Sequence, residues 1–180
     1  MNNRANHLDL MAAPQIIFFY GLAGVGKSYV GDLVGELSGR YVYHADQDIT
    51  DDMNQAISDD RPFTGDMRDD YFSIISEKII DLKKAHSQLI VTQATYKQKH
   101  RDFLNSIIPN MDLIWVTADI DIIKQRLVKR NNNVTLTAAN RLLQDFEAPS
   151  HKAKVIANEG DDNFIINQMN DLYGKLKSES

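Results

Sequence analysis

The stretch Gly21-Leu22-Ala23-Gly24-Val25-Gly26-Lys27-Ser28 leaves this chain few ways to fold. Its spacing is G-x-x-x-x-G-K-S, and both flanks suit it. Ahead of it, Gln15-Ile16-Ile17-Phe18-Phe19-Tyr20 is a short apolar block rich in β-branched and aromatic residues, the composition of a buried strand. Behind it, Val30, Leu33, Val34 and Leu37 fall at i, i+3, i+4 and i+7, on one face of a helix. Strand, glycine-rich turn and helix start form the context in which this spacing cradles a phosphate chain. Gly21, Gly24 and Gly26 let the backbone bend until successive N–H groups point inward, and the helix beginning near Lys27 adds its positive dipole end. On this reading Lys27 reaches the β- and γ-phosphates and the Ser28 hydroxyl ligates Mg²⁺. The candidate nucleotide-binding residues are therefore Gly21, Leu22, Ala23, Gly24, Val25, Gly26, Lys27, Ser28 and the adjoining Tyr29.

The rest of the composition removes other classes. At 180 residues the length suits one domain with a single core, and residues 14–180 are assigned to it. Residues 1–13 hold no apolar signal core and read as a flexible tail ending at Pro14. The absence of cysteine excludes disulfides, thiolate metal sites and a thiol nucleophile. A formal net charge of -5 argues against a nucleic-acid partner, and no apolar run is long enough to span a membrane. A cytoplasmic enzyme acting on a small molecule, as a monomer or homodimer, is the expectation.

Further along, Tyr41-Val42-Tyr43-His44-Ala45 reads as a second strand running into Asp46-Gln47-Asp48. In open parallel α/β sheets ligands sit beyond the carboxyl ends of the strands. A carboxylate there can accept a proton or reach Mg²⁺ through water, and Asp46 and Asp48 are both candidates. The competing reading is an acidic helix start, since Thr50-Asp51-Asp52 also resembles an N-terminal cap. A loop around Pro62 and Gly65 precedes a helix from Asp66 to Lys84, with Arg68 in its first turn. That position disfavours a cation unless it faces an anion, either a ligand or the neighbouring aspartates.

Gln88 to Thr92 is the third strand. At its exit Gln93 and Thr95 can hydrogen-bond a polar ligand or cap the next helix, and Lys97, Lys99 and Arg101 open that helix. Asp112 to Thr117 forms a fourth strand and Ile120 to Lys129 a helix. Arg126 and Arg130, four apart, share a face and can converge on one anion. A polar break and a second helix from Thr135 suit a lid over the nucleotide, at about residues 130–148. Lys154 to Ala157 is the fifth strand, Asn158-Glu159-Gly160 a turn that can border the nucleotide base, and Asn163 to Lys177 the closing helix.

These fragments, in this order, resemble the gluconate kinase-like branch of the P-loop small-molecule kinases, within the nucleoside-monophosphate-kinase-like fold. The resemblance runs from about Gln15 to Pro149. It is carried by the P-loop, by Tyr43-His44-Ala45-Asp46, and by Arg61-Pro62-Phe63-Thr64-Gly65-Asp66-Met67-Arg68. Gln93-Ala94-Thr95-Tyr96-Lys97-Gln98-Lys99-His100-Arg101-Asp102 and the lid-like pair Arg126-Leu127-Val128-Lys129-Arg130 and Phe146-Glu147-Ala148-Pro149 complete it. It implies a three-layer α/β fold, a five-stranded parallel sheet in the order 2-3-1-4-5 with helices on both faces and a small lid. It also implies ATP and Mg²⁺, and transfer of phosphate to a hydroxyl of a small, anionic sugar acid or polyol. Lys27, Asp46, Arg126 and Arg130 would be catalytic, with Arg126 also on the nucleotide and Asp46, Arg68, Gln93, Lys97 and Arg101 on the acceptor. The chain departs from the branch just after Asp46, where Ile49-Thr50 and Ala56 stand at the places of a His-Pro step and a lysine. The alternatives are a shikimate or nucleotide kinase of the same fold, or a nucleotide-binding regulatory module without catalysis. The strand-three exit lacks the glycine run of shikimate kinases.

Overall fold

A computed structural model describes residues 8, 10–130, 143–149 and 152–174, with the side chains of Val128 and Arg130 outside the described set. The five strands are β1 (Ile16–Tyr20), β2 (Tyr41–His44), β3 (Leu89–Gln93), β4 (Met111–Thr117) and β5 (Lys154–Ala157). They form one sheet in the order β2-β3-β1-β4-β5, every pairing parallel. This is the order that the resemblance implied. All five residues of β1 and all five of β3 are buried, so these strands need a covered face on each side.

Helices supply that cover. They are α1 (Lys27–Ser38), α2 (Asp51–Ser58), α3 (Gly65–Ala85), α4 (Gln98–Ile107), α5 (Ile120–Arg130) and α6 (Asp162–Tyr173). Side chains alternate along β1, and the core divides accordingly. Ile17 and Phe19 face Val30 and Val34 of α1 and Ile165 and Met169 of α6. Ile16, Phe18 and Tyr20 face Ile75 and Ile79 of α3 and Leu104 of α4. Each such side chain taken fully out of water contributes about 2 kcal/mol. Helix α1 lies so close to the sheet that a Cβ on Gly31 would come within 2.5 Å of Thr92 Cγ2.

Two expectations change. The second strand ends at His44, and Ala45–Asp48 turn into a short 3₁₀ helix rather than extending the strand. The expected flexible tail is docked from Leu8 onward: Leu8 and Leu10 are 1% and 4% exposed within the core. Leu8 N donates to Leu37 O, and Leu10 O accepts from Arg40. Residues 1–7 and 9 of the expected tail lie outside the described residues. The lid helix expected from Thr135 lies outside the described residues. Among those described, no helix is long and apolar enough to cross a membrane.

Candidate active site

Parallel register brings the carboxyl ends of the strands into line. Tyr20 pairs with Gln93 and Trp115, His44 with Thr92, and Thr117 with Ala157. Beyond that edge opens a cleft of about 1060 Å³ that runs from the P-loop to α2 and α3. Gly24, Gly26, Lys27, Ser28, Tyr29, Asp46, Arg68, Gln93 and Arg126 all line it. Residues distant in sequence thus share one cavity.

The P-loop is braced from behind. Gly26 caps α1 in a left-handed conformation (φ 88°), and a Cβ there would stand 2.2 Å from Asn158 Nδ2. Only glycine satisfies both conditions. Asn158 is 3% exposed and donates from Nδ2 to Val25 O at 2.8 Å. Arg126 donates to the same carbonyl at 3.2 Å and to Asn158 O at 3.4 Å. Lys27 Nζ donates across the loop to Leu22 O at 2.9 Å. The Tyr96 hydroxyl accepts from Ala23 N at 3.1 Å, and Tyr29 donates its hydroxyl to Asp162.

On the opposite side, the 3₁₀ turn separates the two acidic candidates. Asp46 lines the cleft, whereas Asp48 accepts from the Tyr43 hydroxyl at 2.6 Å and lines no part of it. Burial pushes the Tyr43 hydroxyl pKa up, and its bond to Asp48 adds to this, so Tyr43 remains a donor. Tyr71 fixes the turn by donating to Ala45 O at 2.7 Å, and Gln93 Nε2 donates in turn to Tyr71. Burial raises the Tyr71 pKa, and the charge of Asp46 raises it further.

Arg101 does not reach the cleft, which corrects its expected role on the acceptor. It is 1% exposed and donates to the carbonyls of Thr95, Tyr96 and Glu147 at 2.9, 3.2 and 2.6 Å. Its guanidinium lies over the rings of Tyr20 and Phe146. Arg101 knits the β3 exit to Phe146 and Glu147, at the end of the segment expected to form the lid. Arg101→Ala strands the carbonyls of Thr95 and Glu147, while Tyr96 O keeps its bond from Glu147 N, so urea unfolding of the variant is expected to show a loss of about 3 kcal/mol. Full stability with a raised acceptor KM would restore the original reading.

The other acceptor-side candidates fare differently. Arg68 lines the cleft but pairs with Asp145 at 2.8 Å. Lys97 lines an adjoining hollow and pairs with Asp145 at 2.9 Å and Glu147 at 3.4 Å. Gln93 lines the cleft with its amide engaged by Tyr71 and by Ala94 N. Thr95 is fully buried. The Arg130 side chain lies outside the described residues. Sequence reasoning missed Asp145, Tyr96 and Tyr71 as elements of the site. Tyr96 stood in the quoted β3 exit, but Asp145 carries no local signal and meets Arg68 only through the fold.

The family model for shikimate kinase matches residues 23–170. The chain belongs to the shikimate kinase family. Among solved structures it is similar to a sugar kinase from Janibacter sp. HTCC2649, with a TM-score of 0.74 and 19% identity over 88% of this chain and 93% of that one. It is similar also to a gluconokinase from Sinorhizobium meliloti 1021, with a TM-score of 0.73 and 20% identity over 89% and 94%. A shikimate kinase from Acinetobacter baumannii, in complex with shikimate, gives 0.65 and 16% over 93% and 96%. The sequence matches no curated protein significantly. At these identities the structural likeness speaks for the fold. Family and fold together make the chain a small-molecule kinase, and membership implies ATP as its phosphoryl donor.

Proposed function

We propose that this kinase transfers the γ-phosphoryl group of ATP to a hydroxyl of a small sugar acid or polyol. The observation that carries the reading is the shared cleft, which Lys27, Ser28 and Asp46 all line. Phosphoryl transfer needs a nucleotide held in line with an acceptor and charge stabilised between them. The P-loop amides and Lys27 would hold the phosphates. Arg126, anchored on Val25 O, would meet charge on the transferring group, and Arg130 would join it from the same helix. Asp46 would orient the acceptor hydroxyl and take its proton, with Arg68, Gln93 and Lys97 around the rest of the acceptor.

The residues present also fit Mg²⁺. Ser28 and Asp46 are oxygen donors on the same cleft, and Mg²⁺ typically takes one or two protein oxygens with phosphate and water completing its shell. Bound there, the ion would draw charge from the phosphate oxygens. Ser28 would hold it directly and Asp46 through water.

Shikimate is the second reading, favoured by the family match. The test is ADP release from the purified chain with Mg²⁺ and ATP, across sugar acids, polyols, shikimate and nucleoside monophosphates. One sugar acid or polyol should raise the rate well above that with ATP alone. A response to shikimate only, or to a nucleoside monophosphate only, overturns the first reading.

A further inference from the structure

The turn that carries Asp46 is too short to aim a carboxylate by itself. Ala45–Asp48 is one turn of 3₁₀ helix, with extended backbone at His44 before it and at Ile49 after it, and the His44 side chain does not cap it. Such turns close with hydrogen bonds of poor geometry. The direction of Asp46 therefore depends on what grips the turn from outside. Two grips reach it, from opposite layers of the fold.

The first comes from the α1 side. His44 pairs in register with Thr92 of β3, so their side chains stand together on one face of the sheet. That is the face α1 covers, since Thr92 Cγ2 is the atom nearest a Cβ built on Gly31. His44 Nδ1 meets Thr92 Oγ1 at 2.8 Å, and His44 Nε2 meets Asp32 Oδ1 of α1 at 2.9 Å. A carboxylate only accepts, so Nε2 carries a proton, and in the neutral ring the Thr92 hydroxyl donates to Nδ1. Asp32 lies four residues after Ser28, one turn further along the helix that begins at the P-loop. The ring thus ties the residue two before Asp46 to the helix that carries Lys27 and Ser28. Neither His44 nor Asp32 lines the cleft.

The second grip comes from the α3 side. The Tyr71 hydroxyl donates to Ala45 O at 2.7 Å, and that carbonyl shares a peptide plane with the Asp46 nitrogen. Gln93 Nε2 donates to the same hydroxyl, while Gln93 Oε1 accepts from Ala94 N. Tyr71 and Gln93 are 3% and 4% exposed. Burial first, and then the charge of Asp46, push the Tyr71 pKa up, so the phenol keeps the proton it donates.

We propose that His44 and Tyr71 are positioning residues that fix the direction of the Asp46 carboxylate, His44 relative to the phosphate-binding helix and Tyr71 relative to the exit of β3. This rests on the kinase reading of the same cleft and deepens it. Neither residue exchanges a proton with the acceptor. Thr92 and Gln93 support them from β3, each holding one of the two in place.

His44→Ala, Thr92→Val and Tyr71→Phe test this on the full chain. Valine keeps the methyl against α1, and phenylalanine keeps the buried ring. Amide hydrogen exchange reads the turn itself. ADP release with Mg²⁺ and ATP, using whichever of gluconate, glucitol and shikimate the parent chain phosphorylates, reads its aim. Exchange at residues 45–48 should rise about tenfold or more while β1 and β3 stay protected. Turnover should fall about 10- to 100-fold with little change in KM for ATP or acceptor. In an Asp46→Asn background each loss should shrink to less than about twofold, because the residues act as one unit. A merely structural role would raise exchange in β1 and β3 too, and would add its full cost to that of Asp46→Asn. Unchanged exchange at the turn, parental turnover in His44→Ala and Tyr71→Phe, or full additivity with Asp46→Asn overturns the proposal. If the parent chain releases no ADP with any of the three acceptors, the kinase reading falls, and the exchange result alone decides for or against the two grips.

Discussion

Lys27→Ala is expected to lower turnover by about 10³-fold or more while the chain stays folded. Lys27 is the second-last residue of the P-loop and the first of α1, and it is 9% exposed. Its ammonium is bonded to Leu22 O, across the turn that would surround the phosphates. With the nucleotide bound as proposed, that geometry would hold a full positive charge where oxygen charge grows as the phosphoryl group leaves, inside a cleft where water screens little. Alanine removes the charge and keeps the helix, for which it is the best former. The measurements are turnover in ADP release, ATP affinity by titration, and melting temperature. Unchanged affinity and turnover would end the assignment of the P-loop as a working phosphate site. Lys27→Arg provides a second check. Its planar fork does not reproduce a compact ammonium on a flexible stem, so it should recover only part of the loss.

Asp46→Asn is expected to lower turnover by about 10²- to 10⁴-fold with little change in ATP affinity. The substitution keeps the side-chain shape and removes the proposed proton acceptor. The turn beneath it should persist, because Tyr71 holds that turn through Ala45 O. Asp48→Asn is the matched control. Asp48 serves the Tyr43 hydroxyl from the far side of the same turn, and an amide oxygen can still accept from it. Turnover of that variant should stay near the parent value. Equal losses from both substitutions would mean that the turn acts only as a structural unit and would remove Asp46 from the chemistry.

The contrast between these two aspartates marks the limit of what could be read before the structure. The donor side was legible because a P-loop is a local device: strand, turn and helix are contiguous, and the spacing of Gly21, Gly24, Gly26, Lys27 and Ser28 already contains the geometry. The sheet was legible because five short apolar runs alternate with helical periodicity, and the family resemblance supplied their order. Asp46 and Asp48 were indistinguishable in sequence, since a 3₁₀ turn points them in different directions. The acceptor side was least legible. Arg101 looked like a ligand because a cation at the ligand edge of a sheet often is one. Its carbonyl partners come from backbone and from Glu147, which no local pattern reveals. Arg68 lines the cleft and Lys97 an adjoining hollow, and Asp145, from the segment expected to form the lid, pairs with both.

The bond from Ala23 N to the Tyr96 hydroxyl joins the two halves of the cleft. Ala23 belongs to the turn that would hold the nucleotide, while Tyr96 lines the cavity at the exit of β3. An acceptor that draws Tyr96 toward itself must therefore alter the tension on the nucleotide's own cradle. Free energies of binding are reciprocal, so whatever factor the alcohol imposes on the dissociation constant of ATP, ATP imposes on that of the alcohol. The order in which the two arrive is then free to vary, but the advantage each gives the other is a single quantity.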